Sequence, residues 1–367
     1  MRKWSNITLC PLLIFLGVVF LVTCGEKKPK ISPDAIQPLV TTEATRFDTD
    51  DPAIWIHPTE PSQSLIVGTD KDQNGALYVY DLSGKIIEGK TVRDLQRPNN
   101  VDIEYGLILS GKPVDIAVTT ERMANKIRVF SLPDMKSVDK GGIDVFVGDS
   151  LRAPMGIALY KRPSDGAVFA IVGRKEGPTD GSYLWQYRLE NDGTGGVKGT
   201  KVRSFGGYSG KKEIEAICVD DALGYVYYSD EQFGIRKYTA DPDVPNCNEE
   251  LALFGTQDFT DDMEGISIYQ IDDGTGYILV SDQQANAFRI FKREGEPGDP
   301  HNHQLVKVVY TSTMESDGSD VTNAVLNETF PVGLFVAMSD DRTFQLYSWA
   351  DIAGDELVVA PNGHRSE

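Results

Sequence analysis

A six-bladed β-propeller is the fold that this 367-residue chain predicts. Three observations carry that expectation. First, a short run ending in an aromatic residue recurs six times, in the pattern Leu77-Tyr78-Val79-Tyr80. Its last aromatics fall at positions 80, 130, 187, 238, 291 and 347, so one unit returns every 50 to 57 residues. Second, each such run follows another apolar, β-branched run that ends in polar residues, as in Leu65-Ile66-Val67 and Tyr277-Ile278-Leu279-Val280. Third, no stretch between residues 40 and 350 keeps a helical period, and Gly, Asp, Asn and Pro separate the runs. Each unit is long enough for four strands. A sandwich would need fewer strands and no repeat.

The elements then follow in chain order. Arg2 and Lys3 precede an apolar stretch from residue 9 to 22 that is too short for a membrane span and has the layout of an export signal. It ends in Leu21-Val22-Thr23-Cys24, which resembles the lipobox of bacterial lipoproteins, with Thr23 where a smaller residue is usual. The expected organisation is a signal segment at 1–23, a lipidated Cys24 opening a polar tether at 24–38, a propeller at 39–355 and a tail at 356–367. That places the protein in the cell envelope, held to a membrane by its N-terminal lipid alone, or secreted if the signal is cut without lipidation. Residues 41–47 are Thr-rich and extended. They are expected to pair as the outermost strand of blade six, because little chain remains after residue 349 to supply one. Cys218 sits in an apolar run and Cys247 in a loop, and a disulfide between them stays open.

Composition narrows the function. Lys plus Arg number 36 against 55 Asp plus Glu, a net charge of -19. A body so acidic, with no basic stripe, excludes a nucleic-acid partner. The excess carboxylate fits either a solvated surface or the binding of hard cations such as Ca²⁺. Its placement favours the second. Polar groups open the first strand of several blades: Asp50-Asp51, Asn99-Asn100 with Asp102, Glu213 with Glu215, and Asp261-Asp262 with Glu264. Blade three instead reads Pro154-Met155-Gly156, and blade six carries an acidic stretch with Asp317 and Asp320. Charged or polar pairs also close the second strands, at Asp70-Lys71, Glu121-Arg122, Lys175-Glu176, Asp230-Glu231 and Asp282-Gln283. The start of strand one and the end of antiparallel strand two share one face of the disc, so these groups converge on one mouth of the central channel. Packed carboxylates repel unless they are protonated or bridged by metal. An oxygen-only set suits Ca²⁺, and the cations Lys71, Arg122 and Lys175 suit a phosphate-bearing anion. Only four histidines are present, and no H-E-x-x-H, G-x-S-x-G or C-x₅-R motif occurs, which disfavours covalent His or Cys phosphotransfer.

These residues resemble the β-propeller phytases, also called alkaline or 3-phytases, over roughly residues 48–350. The stretches that carry the resemblance are Asp50-Asp51-Pro52-Ala53-Ile54-Trp55, Asn99-Asn100-Val101-Asp102-Ile103, Lys175-Glu176-Gly177 and Asp262-Met263-Glu264-Gly265. The resemblance implies a Ca²⁺-dependent phosphomonoesterase acting on phytate, myo-inositol hexakisphosphate, through direct attack by water; the expected state is a monomer. It implies catalytic roles for Lys71, Arg122, Lys175, Glu176 and Glu231. It also implies a shell for several Ca²⁺ ions from Asp50, Asp51, Asn100, Asp102, Glu215, Asp262, Glu264, Gln283 and Asp317. This chain departs from the family pattern at Met155, where a Tyr is expected, at Ala216, where Gly is expected, and in the shortened motif of blade six. Two other readings stay open here: a calcium-dependent propeller esterase or lactonase, and a non-catalytic envelope lipoprotein that binds anionic ligands.

Overall fold

The computed structural model describes Met1 and residues 30–361. The signal segment and Cys24 therefore lie outside the described residues, as does the end of the tail. Six antiparallel sheets follow one another along the chain. Their first strands are Thr49–Trp55, Pro98–Leu109, Pro154–Lys161, Ile217–Asp220, Met263–Gln270 and Ser319–Thr322. Each first strand touches those of the two neighbouring blades, which makes a closed inner ring. Four of the six second strands, Leu65–Asp70, Val168–Arg174, Gly276–Asp282 and Leu334–Ser339, are buried along their whole length. This is why they read as unbroken apolar runs rather than alternating ones. Blade two has five strands, since Lys136–Ser137 and Ile143–Asp144 both pair with Lys126–Ser131. Among the described residues no helix is long and apolar enough to cross a membrane.

The ring closes as the Thr-rich segment predicts, a little earlier in the chain. Val40 pairs opposite Leu346 in Thr343–Ser348. Leu39 N, Thr42 N and Thr45 N donate to the carbonyls of Leu346, Phe344 and Arg342, and Thr42 Oγ1 accepts from Phe344 N. The unpaired edge that blade six would expose is thereby covered. Both expected end segments are more docked than their polar sequence predicts. At the end of the tether, Ile36 N donates to Tyr310 O and Ser312 N to Ile36 O. In the tail, Leu357 and Ala360 bury beside Trp349, and the hydroxyls of Tyr277 and Tyr269 accept from Val358 N and Ala360 N. Apolar side chains spaced three apart explain this anchoring. Cys218 and Cys247 are free thiols.

Blades four and five meet through buried charge. The Arg293 guanidinium donates to both carboxylate oxygens of Asp220, at 2.6 and 2.7 Å. Beside this pair, Lys237 lies over the Tyr225 ring and donates to Pro300 O at 2.7 Å. His303 Nδ1 stands 2.7 Å from Lys292 O and Nε2 stands 3.2 Å from Lys237 Nζ. Nδ1 must therefore carry the proton, leaving Nε2 to accept from the ammonium. Burial pushes the His303 imidazolium down to about 4, helped by the Lys237 charge and opposed by the carbonyl.

That arrangement sets a pH dependence. The unfolded ring protonates near 6.5, so between that pH and about 4 the unfolded chain binds the extra proton. Stability from this group is complete above about 6.5 and falls as pH drops toward 4, by about 2–3 kcal/mol. His303→Gln keeps a donor and an acceptor but cannot titrate. Denaturant unfolding of both proteins at pH 7, 5.5 and 4 should show the parent losing more stability than the variant by about that amount. Parallel losses would remove His303 as the cause.

Candidate active site

Register brings the polar positions to one end of the channel. Thr49 faces Asp70, Pro98 faces Glu121, Pro154 faces Arg174 and Met263 faces Asp282. In every blade the residue after the second strand donates its backbone N–H to the loop that enters the first strand. The pairs are Lys71 to Asp48 O, Arg122 to Arg97 O, Lys175 to Ala153 O, Glu231 to Glu213 O, Gln283 to Asp262 O and Asp340 to Met314 O. The residue before it is buried and pins the same loop. Asp70 accepts from Phe47 N and Asp48 N, Asp230 from Ser209 N, and Asp282 from Thr260 N. A strand alternates its side chains, so the next residue faces the mouth instead.

The first strands use a different device. Four of them carry a register shift at their start, between Thr49/Pro52, Pro98/Val101, Pro154/Ile157 and Met263/Ile266. A bulge of this kind re-aims the side chains it contains. Here it holds Asp50-Asp51, Asn99-Asn100, Met155-Gly156 and Glu264-Gly265. Glycine allows the strands to close in. A Cβ on Gly318 would lie 2.6 Å from Asp51 Cα, and one on Gly156 would lie 2.0 Å from Glu215 O.

The mouth contains two cationic centres. Lys71 Nζ lies 2.8 Å from Asp50 Oδ1, 3.1 Å from Asp317 Oδ2 and 3.9 Å from Glu215 Oε1, joining blades one, six and four. Asn99 Nδ2 donates to Asp50 Oδ2 and also to Glu215 Oε1, and Gln283 Nε2 donates to Asp317 Oδ1. Lys212 Nζ lies 2.6 Å from Asp262 Oδ2, 2.8 Å from Glu231 Oε2 and 3.9 Å from Glu264 Oε1. Lys175, at the exposed rim, pairs with Glu213 at 2.6 Å. Arg122 is half-buried, its Nε buried and unpartnered, and desolvation lowers its pKa against the pull of Glu215 and Asp50.

The electrostatics are those of too many carboxylates under too little water. Burial raises Asp50 and Glu264 well above the usual carboxylate range, and neighbouring acids add to it. Burial also pushes Glu231 up to about 8 despite Lys212. Asp262 goes the other way: burial would raise it, but Lys212 and the Gln232 amide hold it down. Lys71 keeps its proton far above the ordinary lysine range, because Asp50, Glu215 and Asp317 outweigh its burial. Glu213, Glu215 and Glu231 offer oxygens within 4.8 Å of one another. Glu231 Oε1 and Glu264 Oε2 are buried without a hydrogen-bond donor. An oxygen-rich set with orphaned acceptors fits a hard cation.

Several residues that the sequence singled out stand apart from these two centres. Asp102 lies deeper in the channel, lining a cavity of about 610 Å³ with Ile54, Ile56, Tyr105 and Asp320. Both of its oxygens are taken, by Leu159 N at 2.7 Å and Ile103 N at 2.7 Å. It ties blade two to blade three. Asp51 spends Oδ2 on Val101 N in the same manner. Asn100 is buried beside Asn99, and its neighbour makes the contacts to the acids. Glu176 is exposed at the rim, where it borders a 380 Å³ pocket with Lys175 and Arg152. Met155 is buried, and its carbonyl accepts from Thr120 Oγ1. Sequence reasoning passed over Lys212 and placed Asn99 and Glu213 at the mouth without giving them a role. Glu213 and Asn99 were legible as polar openings of inner strands, whereas Lys212 had no such signal.

Comparison with known proteins points one way. The family model described as Phytase matches residues 17–353. A 3-phytase of Bacillus subtilis (strain 168) is 30% identical over 330 residues, covering 86% of this chain and 83% of that protein.

The charge arrangement can be checked without any substrate. Lys71→Met removes the only ammonium within 4 Å of Asp50 and Asp317 among the described residues. In excess chelator at neutral pH it should destabilise the fold by roughly 3–5 kcal/mol, as breaking a buried pair does. Lys71→Arg should recover much of this. An unchanged unfolding curve for Lys71→Met would mean that these carboxylates are not held together by charge.

Proposed function

Because the chain belongs to the phytase family, we propose that it releases phosphate from phytate at the acidic mouth, and that the divalent cations it uses there are Ca²⁺. The observation that carries the reading is the charge imbalance of the mouth. Carboxylates from blades one, four, five and six outnumber Lys71, Arg122, Lys175 and Lys212, and buried oxygens of Glu231 and Glu264 lack donors. Neither His nor Cys stands among the donors, which favours Ca²⁺ over Zn²⁺. Glu213, Glu215, Glu231 and Glu264 would hold ions on one side of the mouth, and Asp50, Asp317 and Gln283 on the other. Bound there, Ca²⁺ supplies positive charge that neutralises phosphate oxygens and favours an in-line attack by water.

The chain's own groups do the remainder. Arg122 offers an unpartnered Nε–H to a phosphoryl oxygen, in a buried setting where such a bond is strong. Lys71 sits between the acids of blades one, four and six, placed to meet charge developing on the phosphoryl group. Lys175, exposed at the rim, captures a second phosphate of the same inositol ring. Glu231 Oε1, buried without a donor, accepts the hydrogen bond of the incoming water. No covalent intermediate is required, since no His or Cys nucleophile stands among these residues.

Phosphate release from phytate, measured with Ca²⁺ and in excess chelator beside an aryl phosphate, tests the reading. Release should need Ca²⁺. Lys71→Ala should lower the rate about 10²–10³-fold, and Glu231→Gln should lower turnover more than affinity. A protein that merely binds anions would give weaker phytate binding in Lys71→Ala, tighter binding in Glu231→Gln and no phosphate from either.

We also propose export and anchoring through a lipid on Cys24, from the signal-like layout of residues 1–24. Cys24→Ser should move the protein from the membrane fraction to the soluble one or block its maturation. A parent protein found soluble and lipid-free by mass spectrometry would replace anchoring with plain secretion.

A further inference from the structure

We propose that Lys212 is a resident counter-cation, whose ammonium occupies a position between blades four and five that Glu231, Asp262 and Glu264 would otherwise give to a divalent cation. Nζ contacts two of these carboxylates at 2.6 and 2.8 Å and approaches the third at 3.9 Å. The three acids are buried and belong to two different blades, so a single cation must serve them from the gap. The lysine is set in place by its loop. Tyr208 Oη donates to Lys212 O, and Ser209 is fixed by Asp230 through both its N–H and its hydroxyl.

Lys71 offers the contrast that gives this its meaning. The acids around Lys71 are also served by amides: Asp50 and Glu215 accept from Asn99, and Asp317 accepts from Gln283. Around Lys212 only Asp262 has amide donors, from Gln232 and Gln284, while Glu231 Oε1 and Glu264 Oε2 remain buried without a donor even with the ammonium in place. One positive charge with three N–H groups does not exhaust what these carboxylates offer, whereas Ca²⁺ takes six to eight oxygens. Lys212 and a divalent cation therefore compete for the same oxygens, and the parent holds one ion fewer than its carboxylates could bind.

The inference rests on the calcium reading only for the identity of the ion. Its test counts ions and needs no activity. Parent and Lys212→Met, stripped with chelator, are titrated with Ca²⁺ by calorimetry, and melting curves are recorded with and without it. Lys212→Met should bind one more Ca²⁺ per chain, melt lower than the parent in chelator, and gain more from added Ca²⁺. Equal stoichiometry in both, with Ca²⁺ bound to each, overturns this inference alone. Binding by the variant but not the parent supports it and overturns the calcium reading for the parent, and binding by neither overturns both. If Lys212→Met does not survive chelation, it is prepared in Ca²⁺ and its retained ions are counted by atomic emission after gel filtration. The double variant Lys212→Met, Asp262→Asn loses one charge of each sign and should return to the parent's count. An extra ion retained by that double variant would place the gained site away from these three acids.

Discussion

The candidate site depends on one hydrogen bond made six times. After each second strand, the next residue donates its N–H to the loop that enters the first strand of the same blade. This bond fixes the Cα of Lys71, Arg122, Lys175, Glu231, Gln283 and Asp340 at equivalent heights around the mouth. It involves backbone only, so side-chain identity is free to change from blade to blade without disturbing the scaffold. A rigid frame with interchangeable side chains is what a preorganised site needs. The buried residue just before it is the less free partner. Asp70, Asp230 and Asp282 all accept from that entering loop, and Arg174 does the equivalent by donating to Leu151 O.

Depth in the channel decides what a carboxylate does. Near the mouth, acids meet lysines and one another. Further in, Asp102 and Asp320 each accept one N–H from the neighbouring blade and one from their own strand. Burial still pushes Asp102 up to about 8 and Asp320 to about 6, against those bonds. Their oxygens are spent on holding first strands together. Chemically identical groups are thus structural at one level and available at another, and the difference is the supply of backbone donors.

That distinction marks how far the sequence could be read. The repeat was legible because each blade restates one pattern of buried runs and turn residues, and strand-end pairs kept their phase through the first five blades. Lys71, Glu231 and Gln283 could therefore be placed at the mouth without coordinates. The first strands were harder, since a bulge shifts side-chain phase by one residue. Asn99, rather than Asn100, reaches Asp50 and Glu215 for that reason. Asp102 sits two residues beyond Asn100 and so below the mouth, a displacement along the axis that spacing alone does not reveal. Lys212 was illegible because two of its three partners come from the next blade and its loop has no periodicity. The docking of the tail was hidden in the same way, as Leu357 and Ala360 count as core only once Trp349 is placed beneath them.

The mouth carries an electrostatic cost that the rest of the ring compensates. Burying Asp50, Glu231 and Glu264 costs desolvation that their lysines only partly offset. Support comes from features away from the chemistry: the closing segment on blade six, the Arg293–Asp220 pair at zero exposure, and Trp349 stacked on Tyr269 at 3.7 Å. A ring closed in this way resists the splaying that carboxylate repulsion would otherwise drive. The acids are held at a spacing they would not choose, and that enforced spacing is what makes the mouth a receptor for cations. Binding energy at the mouth and folding energy of the ring are then linked quantities, because any ion that relieves the repulsion stabilises only the closed form.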